Sequence, residues 1–165
     1  MAKTSIDIDD LKLGEIESDG GMSLSLTSVG DMEEKTVKFN GSEAATTPFK
    51  NHKGETLEES AKEGDITIEF KVTDFTPTFV ASFTDGTSGA GTGTVTFKAP
   101  DGVPAKEMSV QFTTQRGITW NLPRVSLSAY PMVDDGGLHG YMVKGRVLKP
   151  TKTGVAKYDY EYASV

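Results

Sequence analysis

The sequence predicts a mainly β protein, an antiparallel β-sandwich or barrel-like fold with one short flanking helix and long loops. Short apolar–polar alternations recur along the chain, glycine turns punctuate them, and one segment carries the chemistry of a helix start and stop. In the stretch from Gly64, Ile66, Ile68, Phe70 and Val72 alternate with Thr67, Glu69, Lys71 and Thr73, the period of a half-buried strand. Met108, Val110 and Phe112 alternate with Ser109, Gln111 and Thr113, and Val125, Leu127 and Ala129 with Arg124, Ser126 and Ser128. Turn chemistry follows at Asp19-Gly20-Gly21, Asn40-Gly41, Asp85-Gly86, Asp101-Gly102 and Asp135-Gly136-Gly137.

In chain order the expected strands are Gly21–Val29, Glu34–Phe39, Gly64–Thr73, Gly93–Ala99, Lys106–Gln115, Arg124–Tyr130, Gly140–Leu148 and Tyr158–Ala163. The helix is expected after Thr76, which suits an N-cap. Pro77 fits the first helical position, and Gly86 suits the stop. Phe79, Val80 and Phe83 would then share a face. Phe79, Ala81 and Phe83 also fit a strand, but the boundary residues favour the helix. A single domain, 1–165, is expected, with an N-terminal arm over about residues 1–20. Asn40–Lys62 is polar and reads as a long loop, with a short helix start at Thr56 and Glu59 in the capping-box position. The glycines of "GTSGAGTGT", Gly86–Thr94, read as a flexible loop, since no Lys-Ser/Thr of a P-loop follows. Tyr158, Tyr160 and Tyr162 share one face of the last segment and are expected to pack on the core or its rim, with a neighbouring subunit as the alternative.

Composition narrows the function. With 36% hydrophobic and 25% charged residues the chain can build a core. Lys and Arg total 17 against 24 acidic residues, a net charge of −7, which argues against a protein that grips nucleic acid through its phosphates. Cysteine is absent, so no disulfide framework or thiolate zinc site is expected. The opening "MAKTSIDIDDLKLGE" has no apolar core of the secretory type, and no apolar run is long enough to span a bilayer; a cytoplasmic product is expected.

Candidate chemistry is sparse. Asp7, Asp9 and Asp10, and Asp134 with Asp135, are carboxylate clusters without the EF-hand spacing, and read as solvated turns. His52 and His139 lack partner spacing, and no Ser stands in a G-x-S-x-G elbow, so an enzyme on a jelly roll ranks last. Trp120 is expected at the core edge, with sugar stacking the alternative. No cofactor, catalytic residue or metal ligand is expected.

Three pieces resemble the tail tube (major tail) proteins of long-tailed bacteriophages: the strand running through "DFTPTFVASFTDGT", then "GITWNLPRVSLSAYP" from Gly117 to Pro131, then "GGLHGYMVKGRVLKP" from Gly136 to Pro150. The resemblance implies a structural virion protein, made in the host bacterial cytoplasm, whose protomers form hexameric rings stacked into a hollow tube. Its implied partners are itself, a tape-measure protein, and tail terminator and initiator proteins, with DNA passing through the lumen without specific binding. Under that reading the polar strand faces, Thr67, Glu69, Lys71, Gln111, Thr113, Ser126 and Ser128, line a wet channel. The loop at Asn40–Lys62 and the terminal arms then join rings. The alternative is an immunoglobulin-like or carbohydrate-binding β-sandwich module, such as a virion decoration protein, with an aromatic platform around Trp120 and Tyr130.

Overall fold

The computed structural model describes residues 7–33, 35–102 and 105–162. The first residues of the expected arm, Glu34 and Ala163 lie outside them. The fold is mainly β and antiparallel throughout. An eight-stranded sheet runs β2 (Thr27–Ser28), β1 (Ile8–Gly14), β9 (Lys106–Thr114), β10 (Ile118–Met132), β11 (Gly140–Val147), β6 (Ile66–Val72), β3 (Lys38–Gly41), with β12 (Asp159–Tyr162) paired to the first part of β10. The path begins at β2 and ends at β3, so the sheet does not close into a barrel. Two hairpins stand apart from it, β4 (Ala45–Lys50) with β5 (Thr56–Lys62), and β7 (Thr87–Gly91) with β8 (Thr94–Lys98).

The alternations sort residues as a half-buried sheet requires. Ile68, Phe70 and Val72 of β6, Val110 and Phe112 of β9, Val125 and Leu127 of β10, and Val143 of β11 are buried in one core. Leu11 and Leu13 of β1 join them. Each such side chain, once fully buried, contributes about 1.5–3 kcal/mol relative to exposure. Gly145 sits among them because neighbours occupy the space a side chain would take. A Cβ there would lie 2.6 Å from Val125 Cγ1 and 2.7 Å from Leu127 Cδ2.

The helix α1 spans Pro77–Thr84 and buries Val80 and Phe83. Pro77 holds the expected first position. Thr76 makes no side-chain cap; its hydroxyl and its N–H both donate to Asp74 Oδ1, at 2.6 and 2.8 Å. The left-handed stop is Asp85 (φ 59°), not Gly86. Gly86 is required for a different reason: a Cβ there would meet the Phe97 ring at 2.2 Å, so the hairpin β7–β8 can approach only a glycine.

Several expectations are corrected. Residues 8–14 of the expected arm are β1, a strand inside the sheet, whose apolar Leu11 and Leu13 reach the core. Asp9 and Asp10 therefore lie in a strand and not a turn, with a register shift between Ile8 and Asp10. The expected loop over Asn40–Lys62 is largely the β4–β5 hairpin, and Thr56–Lys62 is β5 and not a helix start, because its residues pair across to β4. Of the expected strand Gly21–Val29, only Thr27–Ser28 is paired as a strand. Gly86–Thr94 contributes β7 and its turn to a paired hairpin, with Gly93 supplying the positive φ (74°) of the turn.

β10 also runs well beyond the expected Arg124–Tyr130, starting at Ile118 and crossing a register shift between Leu122 and Val125. Before the shift Trp120 and Leu122 face the core; after it Val125, Leu127 and Ala129 do. The extra residue of the bulge changes which positions point inward. Pro123, which has no N–H to give a ladder, sits in it. The buried Ser109 holds the bulge: its hydroxyl donates to the Pro123 carbonyl at 2.8 Å and accepts from the Ser23 N–H at 3.0 Å. Replacing Ser109 by Ala removes both bonds from a buried site. It is expected to lower the unfolding free energy by about 1–3 kcal/mol, measured by urea denaturation. Ser28→Ala, which loses only exposed bonds such as that to Asp10, serves as the comparison and should stay within about 0.5 kcal/mol of the parent. Equal effects of the two would overturn the role given to Ser109.

Candidate functional site

The polar residues of the sheet gather where β10, β11 and β6 lie side by side. Cross-strand register arranges them in rows. Ser126, Arg146 and Thr67 form one row, and Ser128, Lys144 and Glu69 the next. They line a shallow, open depression of about 240 Å³. Ligand pockets are typically enclosed, mostly apolar and of roughly 300–1,000 Å³, so this depression does not have the form of a small-molecule site.

Every strand here presents its polar set for the same reason: the opposite positions, Ile68, Val125, Leu127 and Val143, are committed to the core, and side chains alternate. Two cations of the face are paired with carboxylates. Lys144 Nζ lies 3.7 Å from Glu69 Oε1, and Arg146 Nη2 lies 3.3 Å from Asp65 Oδ2. Lys38 of β3 stands opposite Glu69 on the other side of β6. At the margin Arg124 grips Glu107 with two bonds, Nε to Oε2 at 2.8 Å and Nη2 to Oε1 at 2.9 Å, and donates a third to the Lys149 carbonyl at 3.1 Å. The bonds from Arg124 hold the Glu107 carboxyl below its usual range, and Glu107 in turn raises the guanidinium.

Four of the seven residues expected on a channel face, Thr67, Glu69, Ser126 and Ser128, come together in this depression. Gln111 and Thr113 lie farther along β9 in a second polar patch. There Gln111 Nε2 donates to Asn121 Oδ1 at 2.9 Å, Asn121 Nδ2 donates to Asp159 at 2.7 Å, and the Thr113 and Thr119 hydroxyls are 3.3 Å apart. Between the two patches Ser109, on the same strand as Gln111, is covered by the Ser23 backbone. Lys71 does not share the open face. It is buried, ion-paired with Glu33, and its backbone N–H donates to the Thr36 hydroxyl. The segment before β3 folds over that position, which strand alternation alone does not reveal.

Sequence reasoning left out Lys144 and Arg146, which complete the rows. Their signal was present in the alternation of "YMVKGRV", where Val143, Gly145 and Val147 point inward. Trp120 packs at the core edge as expected, stacked on Phe112 at 6.0 Å with a 13° interplanar angle and 4.7 Å from Tyr160. The bulge places it on the opposite face of β10 from Tyr130, so these two aromatics do not form one platform. Tyr158 touches Phe39 and Trp120 through its ring, and Tyr158, Tyr160 and Tyr162 are all exposed. His52 is exposed in the β4–β5 turn, and the exposed His139 ring bonds the Asp134 carbonyl at 3.0 Å. Among the described residues no three His, Asp or Glu side chains gather as a metal site, and no helix is long and apolar enough to cross a membrane.

No protein-family model matches the chain, and no curated protein matches it.

The Arg124–Glu107 pair has a testable pH signature. A carboxyl whose folded value is depressed stabilises the fold above the ordinary range, about pH 4.3, and that stabilisation is lost as pH falls through and below it. Unfolding free energy should therefore drop between about pH 6 and pH 3, and Arg124→Gln should flatten part of the drop, by at most about 1 kcal/mol for so exposed a pair. An unchanged slope in the variant would show that Glu107 gains nothing from Arg124.

Proposed function

We propose that the protein is a structural subunit that polymerises as stacked rings, in the role of the tail tube proteins its sequence resembles: a hollow phage tail through which DNA passes. The observation that most directly supports self-assembly is the β4–β5 hairpin. Every residue of both strands is exposed, including Phe49 (56%) and Leu57 (68%), and among the described residues the hairpin contacts no other element of the fold. A two-stranded hairpin alone in water is marginal, so a partner surface that covers it is the natural way to hold it.

The polar depression on β10, β11 and β6 supports a channel role in the same reading. Its cations are matched with carboxylates, on a chain of net charge −7. A polyanion carrying about one charge per 1.7 Å meets no unbalanced positive stripe there, and so passes without adhering. No catalytic residue enters this function. Tape-measure, terminator and initiator proteins are its implied partners, and the tail of the virion its place.

Electron microscopy of the concentrated protein should show rings or hollow tubes of uniform width; a protein that stays monomeric even with an assembled tail tip as initiator would overturn the reading. Replacing residues 43–63 by a short turn between Ser42 and Gly64 should leave a folded protein that cannot elongate, and normal tubes from it would remove the hairpin from ring stacking. Thr67→Cys and Ser126→Cys variants should react with a bulky maleimide as monomers and resist it in tubes. Equal labelling in both states would take this face out of the lumen.

A further inference from the structure

Two cross-strand ladders run over β9, β10 and β12, one on each face of the sheet, and both stop at β12. On the core side Phe112 stands opposite Trp120 and Trp120 opposite Tyr160, with ring centroids 6.0 and 4.7 Å apart. On the other side Gln111 stands opposite Asn121 and Asn121 opposite Asp159. There the Gln111 amide donates to Asn121 Oδ1 at 2.9 Å, and the Asn121 amide to Asp159 Oδ1 at 2.7 Å. Glu161, opposite Thr119, shares this face with Asp159.

Among the described residues β12 pairs with β10 alone, and all four of its residues are exposed, Tyr160 at 56%. Beyond that ladder Asp159, Tyr160 and Glu161 make no backbone bond to a described residue. Neither Asp159 nor Glu161 has a cation partner among them. The edge thus presents unpaired backbone, an aromatic ring on one face and two carboxylates on the other.

We infer that β12 is an acceptor edge for an extended segment of another protein in which Lys or Arg alternates with aromatic or branched apolar residues. Main-chain bonds add the segment as the next strand, and alternate side chains select it. An apolar residue opposite Tyr160 extends the aromatic ladder, while cations on either side of it meet Asp159 and Glu161. The net charge of −7 draws a basic segment toward the protein. A second copy of β12 does not fit the edge. Antiparallel, with Tyr160 against Tyr160, it sets Asp159 opposite Glu161; parallel, it sets identical carboxylates side by side. Lys38-Phe39-Asn40 of β3 has a suitable alternation, but the Phe39 ring is packed 5.4 Å from both Phe112 and Trp120 in its own protomer. The partner is a different chain, so the inference goes beyond the tube reading and does not rest on it.

Trp120 is the single tryptophan of the chain and lies beside Tyr160, so its fluorescence reports occupation of the edge. The probe is the capped peptide TVKFKVT, which has no tryptophan and reads the same in both directions. It should change the Trp120 emission saturably and slow amide hydrogen exchange in Asp159–Tyr162. Two control peptides, the acidic TVEFEVT and TKKFVVT, which keeps the composition without the alternation, should bind about tenfold more weakly or worse. Asp159→Lys/Glu161→Lys, at two exposed positions, should reverse the preference so that TVEFEVT binds more tightly than TVKFKVT. The inference is overturned by no saturable change, by equal binding of the three peptides, by an emission change without slowed exchange in Asp159–Tyr162, or by a variant whose preference does not reverse. Exchange there that slows with protein concentration alone, without peptide, assigns the edge to a second copy and overturns it as well.

Discussion

The architecture depends on the bulge in β10. That strand is shared by both halves of the sheet, pairing with β9 on both sides of the bulge, with β12 early and with β11 late. Without an extra residue between Leu122 and Val125, a strand that buries Trp120 and Leu122 would go on to bury Ser126 and Ser128 and expose Val125 and Leu127. The bulge reverses the phase at Pro123, where a ladder bond is already missing. Three attachments hold it: Ser109 to the Pro123 carbonyl, the Leu148 N–H to the Arg124 carbonyl at 2.9 Å, and the Arg124 guanidinium to Glu107. The end of one phase and the start of the next are thus fixed side by side.

Close approach of neighbouring strands follows from small residues placed on the buried side. Gly145 lets Val125, Leu127 and Ile68 meet across β11, and their packing holds the central three strands in register. A similar space at Gly86 admits the Phe97 ring beside α1, where Phe83 and Phe97 both approach Tyr141. Burial raises the Tyr141 hydroxyl above its usual range, the expected response of a phenol taken from water. The polar face on the other side is as regular as it is because these inward positions leave it no alternative.

A sheet whose path ends at β2 and β3, carrying a β4–β5 hairpin that contacts no other element among the described residues, exposes edges and apolar side chains that a monomer gains nothing from exposing. In the proposed assembly, polymerisation turns these features to use.

The sequence by itself determined the strand faces and the helix. Alternation in β6, β9 and β10 names the inward apolar residues correctly, and Pro77 with Val80 and Phe83 marks α1. It also placed Thr67, Glu69, Ser126 and Ser128 on polar faces, since a period of two needs no partner to be read. Only the tertiary structure decided which faces adjoin. Register across β11 joins two of those pairs through Lys144 and Arg146, and the fold of the segment before β3 takes Lys71 out of the open face. β1 and the β4–β5 hairpin escaped because their patterns are short, polar or charged, and strands of that kind are specified by what they pair with. Local chemistry sets the direction in which a side chain points; long-range pairing sets what it meets there.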